Sequence, residues 1–306
     1  MNPTLCVLGE ALMDCVAQPD GSLRPFMGGS PFNLARAAAL RGASVGFINP
    51  LSTDNFGAQM REQLTRDGVQ LLLPPSSLPT SLAVVQLSQG QPSYGFYREG
   101  VADRDYQVAQ VLSVLGGLKP GVLHTGSLLL VPPEHDKVIA ILLGAKALGW
   151  TISVDVNLRP RLASNLAHYI KAVLKVAAMA DWLKASDDDL MLMGFALPTR
   201  QSAAQIAQHF TAQGTSRVAL TFGGQGAWLE VDGAQASQDV TEVTLVDTVG
   251  AGDTFWGNCL GDWVSHPQDA AARVATTLNE AMLAAAINCS RAGCQPPAYA
   301  ELLQAA

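Results

Sequence analysis

The sequence predicts an α/β domain, with a mainly parallel central sheet covered by helices on both faces and a small β lid attached. Three observations predict it. Short apolar segments alternate with helix-length segments of helical periodicity along most of the 306 residues. Two segments break that rhythm and read instead as turn-linked strands. Hydrophobic residues make up 48% of the chain and charged ones 15%, against a usual ~25% charged, so a large core is available and a disordered chain is excluded.

The alternation starts at once. Thr4 to Gly9 reads as a strand, Asn33 to Arg41 as a helix stopped by Gly42, and Ser44 to Asn49 as a strand again. A helix over Phe56 to Arg66 stops at Gly68. Further strands are predicted at Val122 to Thr125, Thr151 to Val154, Trp182 to Ala185 and Arg217 to Phe222. Helical stretches separate them at Glu134 to Leu148, Leu166 to Ala178 and Ser202 to Gln213. Such β-α order favours parallel strands with both faces covered. The exceptions are Leu82 to Leu87 and Ser93 to Arg98, which flank the turn-forming Gln89-Gly90-Gln91-Pro92 and predict an antiparallel hairpin. With Met13 to Phe26 they would form a lid over the carboxyl ends of the main strands. No low-complexity linker or internal repeat divides the chain. Residues 1–306 are therefore expected to form one domain, with lid elements at approximately 13–26 and 82–106.

Charge and composition exclude several function classes. With 19 basic against 26 acidic residues and a formal charge of -7, the chain lacks a phosphate-neutralising surface, so no nucleic-acid partner is expected. The long uncharged run from Val69 to Tyr97 is broken by Pro74, Pro75, Pro79 and Pro92, and no membrane association is expected. The N-terminus enters a strand-like run without a basic region and apolar signal core, which points to the cytoplasm. Cys6, Cys15, Cys259, Cys289 and Cys294 have apolar neighbours suited to buried thiols in a reducing compartment. The five histidines are scattered, without zinc-ligand spacing.

The chemistry lies in glycine clusters. Gly223-Gly224-Gln225-Gly226 and Gly250-Ala251-Gly252 do not complete a dinucleotide fingerprint, and no Gly-Lys pair exists to form a Walker A loop. What remains is Asp247-Thr248-Val249-Gly250-Ala251-Gly252-Asp253-Thr254 before a helix-like stretch from Phe255 to Val264. Small residues let successive N–H groups face one point at a helix start, which makes an anion hole. Asp253 immediately after it suits a base that takes the proton from a hydroxyl attacking phosphorus. A plainer reading makes Asp253 the N-cap of that helix. The second cluster, Gly28-Gly29-Ser30-Pro31-Phe32-Asn33, also precedes a helix; it offers close backbone approach and an Asn33 amide for a sugar hydroxyl, or merely a loop and cap.

These residues resemble the phosphofructokinase B family of sugar kinases, also called ribokinase-like. Gly9-Glu10-Ala11-Leu12-Met13-Asp14, the Gly28 to Asn33 loop, Asp155-Val156-Asn157-Leu158-Arg159 and the Asp247 to Asp253 segment carry the resemblance over nearly the whole chain. It implies a three-layer α/β/α sandwich with a β lid. It also implies an anion hole of Gly250, Ala251 and Gly252 with Asp253 as base, and sugar hydroxyls held by Asp14, Gly28, Gly29 and Asn33. Thr221, Gly223 and Gly226 are similar to the strand and turn beside ATP, and Asn157, Arg159 and Lys184 join them on the nucleotide side. Arg159 would neutralise transferring phosphate, or pair with a carboxylate such as Asp155. Ser186-Asp187-Asp188-Asp189 stands where many relatives have Asn-x-x-Glu; Asp189 would order magnesium-bound water, or the run is only a solvated acidic helix start. Ala281 to Gly293 resembles the helix and turn walling the adenine pocket, with Met282 in place of a frequent Asn.

Tyr97-Arg98-Glu99-Gly100-Val101-Ala102-Asp103 and His124-Thr125-Gly126-Ser127-Leu128 look most like fructokinases. That resemblance implies an ATP-dependent kinase giving fructose 6-phosphate, with Arg98 on the sugar, magnesium as cofactor and a monovalent cation, potassium, near Asp247 and Gly293. Arg98 reads equally as an exposed lid arginine. The alternatives are a 2-keto-3-deoxygluconate or riboside kinase and, in a different class, a noncatalytic sugar or nucleotide sensor. Apolar lid strands that could pair with another copy suggest a homodimer.

Overall fold

The computed structural model describes residues 2–18, 20–88 and 91–305. Its strands are β1 (Leu5–Val7), β2 (Leu12–Ala17), β3 (Leu23–Gly28), β4 (Val45–Phe47), β5 (Gln70–Leu71), β6 (Ser81–Ser88) and β7 (Gln91–Tyr97). They continue with β8 (Val122–Gly126), β9 (Thr151–Asp155), β10 (Trp182–Ser186), β11 (Arg217–Thr221), β12 (Ala227–Val231) and β13 (Ala234–Gln238). The helices are α1 (Ser30–Leu40), α2 (Asn55–Arg66), α3 (Val108–Gly116), α4 (Glu134–Ala147), α5 (Leu166–Ala177) and α6 (Asp187–Leu192). After them come α7 (Ala203–Thr211), α8 (Ala251–Ser265), α9 (Val274–Cys289) and α10 (Tyr299–Ala305).

Among the described residues the main sheet runs in the order β13-β12-β11-β10-β9-β8-β1-β4-β5. It is parallel from β11 to β5, and β12 and β13 add an antiparallel edge. Successive side chains of a strand leave on opposite faces, and the core divides accordingly. Cys6 and Leu8, Ile152 and Val154, and Leu183 and Ala185 join the core beneath α3, α4, α5 and α7. Leu5, Val7 and Trp182 join the core beneath α1, α2, α8 and α9. Two helical layers on one sheet give the expected three-layer α/β/α sandwich.

The lid is a separate sheet of order β3-β2-β6-β7. β6 and β7 pair antiparallel, as their sequence predicts, while β2 pairs parallel with β6 and antiparallel with β3. Gln89 and Gly90 of the predicted turn lie outside the described residues. Beyond Tyr97 the chain leaves the lid, and Tyr106 packs into the larger core at 1% exposure.

Two helices begin earlier than their apolar pattern suggests, and both beginnings belong to the cleft. α1 starts at Ser30 because Pro31, with its fixed φ and no N–H to lose, is accommodated in a first turn. α8 starts at Ala251 because Gly250 takes the left-handed conformation, φ 75°, that turns the chain into the helix. The β12–β13 pair and α3 had no strong sequence signal: Ala234–Gln238 is polar and half-exposed, an edge strand held by its backbone ladder with β12.

Candidate active site

The carboxyl ends of the parallel strands, the lid and the starts of α1 and α8 enclose a cleft of about 1230 Å³. Asp14, Gly29, Asn33, Asn157, Arg159, Lys184, Asp189, Thr221, Gly223 and Gly226 line it, together with the whole Gly250 to Asp253 segment. Strand direction explains the convergence. Parallel strands end at one edge, where the loops after β9, β10 and β11 meet the first turns of two helices.

Asp253 is the centre of this arrangement. It lies inside the first turn of α8, and the N-cap is Gly250, so the capping alternative does not hold. At 8% exposure its carboxylate accepts the Ser30 hydroxyl on Oδ1 (2.7 Å) and the Asn33 amide on Oδ2 (2.9 Å). Asn157 Nδ2 donates to the same Ser30 oxygen at 2.9 Å, and Arg159 Nη1 donates to Asn157 Oδ1 at 2.5 Å. A chain of hydrogen bonds thus connects the Asp253 carboxylate to a guanidinium. Asn157 holds φ 38°, a left-handed conformation tolerated by Asn, which aims its amide back across the cleft. The Ala251 N–H is taken by the Thr248 carbonyl at 3.2 Å, while among the described residues no backbone acceptor takes the amides of Gly252 or Asp253.

On the lid side, Asp14 projects from β2 and its pKa is raised to about 6, chiefly by burial and further by Asp253 and Asp247, against the pull of Arg159. Gly28 does not itself line the cleft. A Cβ there would stand 2.1 Å from Asp14 Oδ2, so the missing side chain is what seats that carboxylate. Gly29, at φ 105°, likewise lets the loop pass the Glu10 carbonyl, 2.6 Å from where its Cβ would be.

Four expectations are relocated. Arg98 is neither an exposed lid residue nor part of the cleft wall: its side chain is 10% exposed and Nη2 lies 3.4 Å from Asp103 Oδ2, with Asp103 also held by Ser81. Arg159 does not pair with Asp155, whose two oxygens are taken by Lys184 at 2.9 and 2.8 Å. Asp189 is not a solvated helix start. It closes a capping box with Ser186 and accepts the Leu158 N–H at 2.7 Å, so it braces the segment that carries Asn157 and Arg159. Asn33, assigned to a sugar hydroxyl, spends its amide on Asp253; its Oδ1 is buried with no partner among the described residues.

At the other end of the cleft the wall is apolar, with Val243, Leu245, Met282, Ala285 and Ala286. Gly226, at φ 90°, passes so close to the Gln238 carbonyl that no side chain fits, and Gly223 opens to the cleft. One end therefore offers carboxylates and side-chain amides, the middle the backbone amides of Gly252 and Asp253, and the far end an apolar slot.

Residues 2–300 match the family described as pfkB family carbohydrate kinase. The chain belongs to that family. A fructokinase of Vibrio alginolyticus is 32% identical over 272 residues, 85% of this chain and 86% of that protein. The structure of a Xylella fastidiosa fructokinase with bound ATP superposes with a TM-score of 0.83 at 25% identity, covering 99% of each chain. A double mutant of a Vibrio cholerae fructokinase in fructose-, ADP- and potassium-bound form superposes with a TM-score of 0.82 at 25% identity, again covering 99% of each chain. No described helix is long and apolar enough to cross a membrane.

This pfkB-family kinase also uses residues to which sequence reasoning attached no role. Ser30 is the hinge of the hydrogen-bond chain, and its only signal was its place inside the glycine loop. Glu10 lines the cleft at 1% exposure, accepts the Ser30 N–H at 3.3 Å, and keeps Oε2 without a partner. Burial pushes its pKa up to about 7, against Arg98, its own backbone, Ser127 and Arg159. Ser127 lines the same corner in a left-handed conformation, φ 54°, with its hydroxyl beside the Glu10 carboxylate. Strained backbone beside unsatisfied buried polar atoms is the pattern of a ligand site.

Proposed function

We propose that this kinase transfers the γ-phosphate of ATP to the primary hydroxyl of D-fructose, giving fructose 6-phosphate and ADP. The observation that carries the reading is Asp253: a buried carboxylate facing the cleft between the polar Asp14 end and the Gly250 to Gly252 amides. A noncatalytic sensor would not need a proton acceptor at that junction. The fructokinase relatives support the choice of sugar and of nucleotide.

Asp14, Gly29 and Asn33 bind and orient the sugar, and Gly28 keeps Asp14 seated. The sugar hydroxyl replaces one of the donors on Asp253, which accepts its proton as the oxygen bonds to phosphorus. The phosphorus–oxygen bond to the leaving diphosphate breaks in the same transfer. The Gly252 and Asp253 amides and the helix start stabilise charge on the transferred group, and Arg159, whose charge also acts on Asp14 and Glu10, offers its guanidinium. Thr221, Gly223 and Gly226 border the phosphates and ribose, and the apolar slot takes the base.

Magnesium, when bound, offsets phosphate charge. Among the described residues no cluster of three or more His, Cys, Asp or Glu side chains is placed to hold a metal, and both Asp189 oxygens are already bonded. Asp187, on the cleft wall, would hold such an ion through a water, with Asp189 bracing the start of the same helix. A monovalent-cation site near Asp247 is part of the reading. That carboxylate ties the loop to the Gly293 turn, accepting the Val249 and Gly293 N–H groups at 3.0 and 2.9 Å. Cytoplasmic location and a homodimer formed through the open edges of the lid sheet complete it; sedimentation of a monomer would remove the dimer.

Release of ADP, measured with a panel of sugars, tests the reading. D-Fructose should give the highest kcat/KM. Equal or better turnover of 2-keto-3-deoxygluconate or a riboside would assign a different sugar, and no turnover of any sugar would defeat the kinase reading.

A further inference from the structure

Lys184 is a buried ion-pair partner, and its position suits more than pairing. On β10 it shares a face with Trp182, the face covered by α8, and its register partner on β9 is Asp155. Two neighbouring strands thus bring the two side chains together on the α8 face. Nζ donates to both Asp155 oxygens, at 2.9 and 2.8 Å, with the two side chains 5% and 0% exposed. An ammonium has three donors, and Asp155 accounts for two.

The third has a direction. Lys184 lines the cleft. A Cβ at Gly252, the middle of the anion hole, would stand 3.3 Å from Nζ and 3.6 Å from Cε, so the ammonium lies directly behind that residue. The absent side chain leaves the positive charge open to whatever the Gly252 amide holds. Burial works against a charged lysine, yet Asp155, Asp189 and Asp253 together hold the Lys184 pKa above its ordinary value, so the group is a cation at neutral pH.

We propose that Lys184 is the cationic floor of the anion hole: it acts on the transferring phosphoryl group through the opening at Gly252, and Asp155 holds it in place. This rests on the kinase reading. A preorganised charge in a water-poor site is worth more than the same charge in water, and it needs no reorganisation during transfer. The competing explanation is purely structural, since breaking a buried pair by removing one partner leaves a lone charge whatever the pair does.

The double variant Asp155→Asn/Lys184→Met separates the two. It removes both charges of the pair, so neither Asp155 nor Lys184 is left charged without the other. If Lys184 acts on phosphate, the double variant keeps a cooperative thermal transition and a near-wild-type KM for fructose but loses roughly 10²- to 10³-fold in kcat, the range for loss of one transition-state donor. If the pair is only structural, kcat of the double variant recovers to wild type while Lys184→Met alone stays impaired, and the proposal fails. Gly252→Ala is the second probe, for the case in which the double variant does not fold. It leaves the ion pair intact and places a methyl over Nζ, so kcat should fall about tenfold with unchanged unfolding, whereas wild-type kcat in Gly252→Ala would overturn the proposal. A wild type that phosphorylates no sugar defeats the kinase reading; an active wild type whose turnover survives in these variants defeats this inference alone.

Discussion

Ser30 donates its hydroxyl to Asp253 Oδ1 across 2.7 Å, joining the first turns of two helices that are 223 residues apart in sequence. With Asn33 on the other oxygen, the carboxylate is held at a fixed orientation before any substrate enters. Asp253→Asn should therefore lower kcat by about 10²- to 10⁴-fold, the usual worth of a general base, while sugar and ATP binding survive. A folded variant with near-wild-type turnover would remove the base from the mechanism.

Gly28 contributes space rather than contact. In Gly28→Ala the new Cβ would meet Asp14 Oδ2 at 2.1 Å, and the carboxylate must leave its seat. The loss of one hydrogen bond to a charged group is worth ~1.5–3 kcal/mol, so the KM for fructose should rise about 10- to 100-fold with the KM for ATP nearly unchanged. A uniform rise in both constants would show that the substitution disturbs the whole loop.

Glu10 links pH to stability. Its pKa moves from 4.5 to about 7 through burial, so the folded chain binds this proton more tightly than the unfolded chain. The stabilising contribution is then complete below the unfolded value and is lost as pH rises through about 7. Glu10→Gln, neutral at every pH, should raise the melting temperature at pH 8, by an amount equivalent to at most ~3 kcal/mol, with the gain vanishing towards pH 5. Equal destabilisation at both pH values would contradict the assignment.

The lid sheet hangs over the polar end of the cleft, with Leu12, Asp14 and Val16 of β2 and Phe96 of β7 lining it. Sugar binding should draw it down and exclude water, which protects ATP from hydrolysis. Hydrogen exchange across β6 and β7 should slow at saturating fructose. Exchange unaffected by the sugar would leave the lid static.

Much of this protein was legible in one dimension. The β-α alternation, the glycine stops after helices and the two clusters Gly28 to Asn33 and Gly250 to Asp253 are local patterns. Local backbone preference and hydrophobic periodicity suffice to determine them, as they do the antiparallel pairing of β6 with β7. Sequence alone also placed Asp253 at the glycine-rich start of a helix.

What each polar side chain does there was decided by tertiary structure. Whether Asp253 caps a helix or faces a cleft depends on Gly250 beginning that helix three residues earlier, and on Ser30 and Asn33 arriving from another helix. The partner of Asp155 is Lys184 rather than Arg159 because register across β9 and β10 sets them side by side, whereas Arg159 lies beyond the end of its strand. Asp189 becomes a brace because the Leu158 N–H, from the loop after β9, reaches its Oδ1. Hydrogen bonds and ion pairs act over about 3 Å, and sequence separation says nothing about which groups come that close until the sheet has put its strands in order.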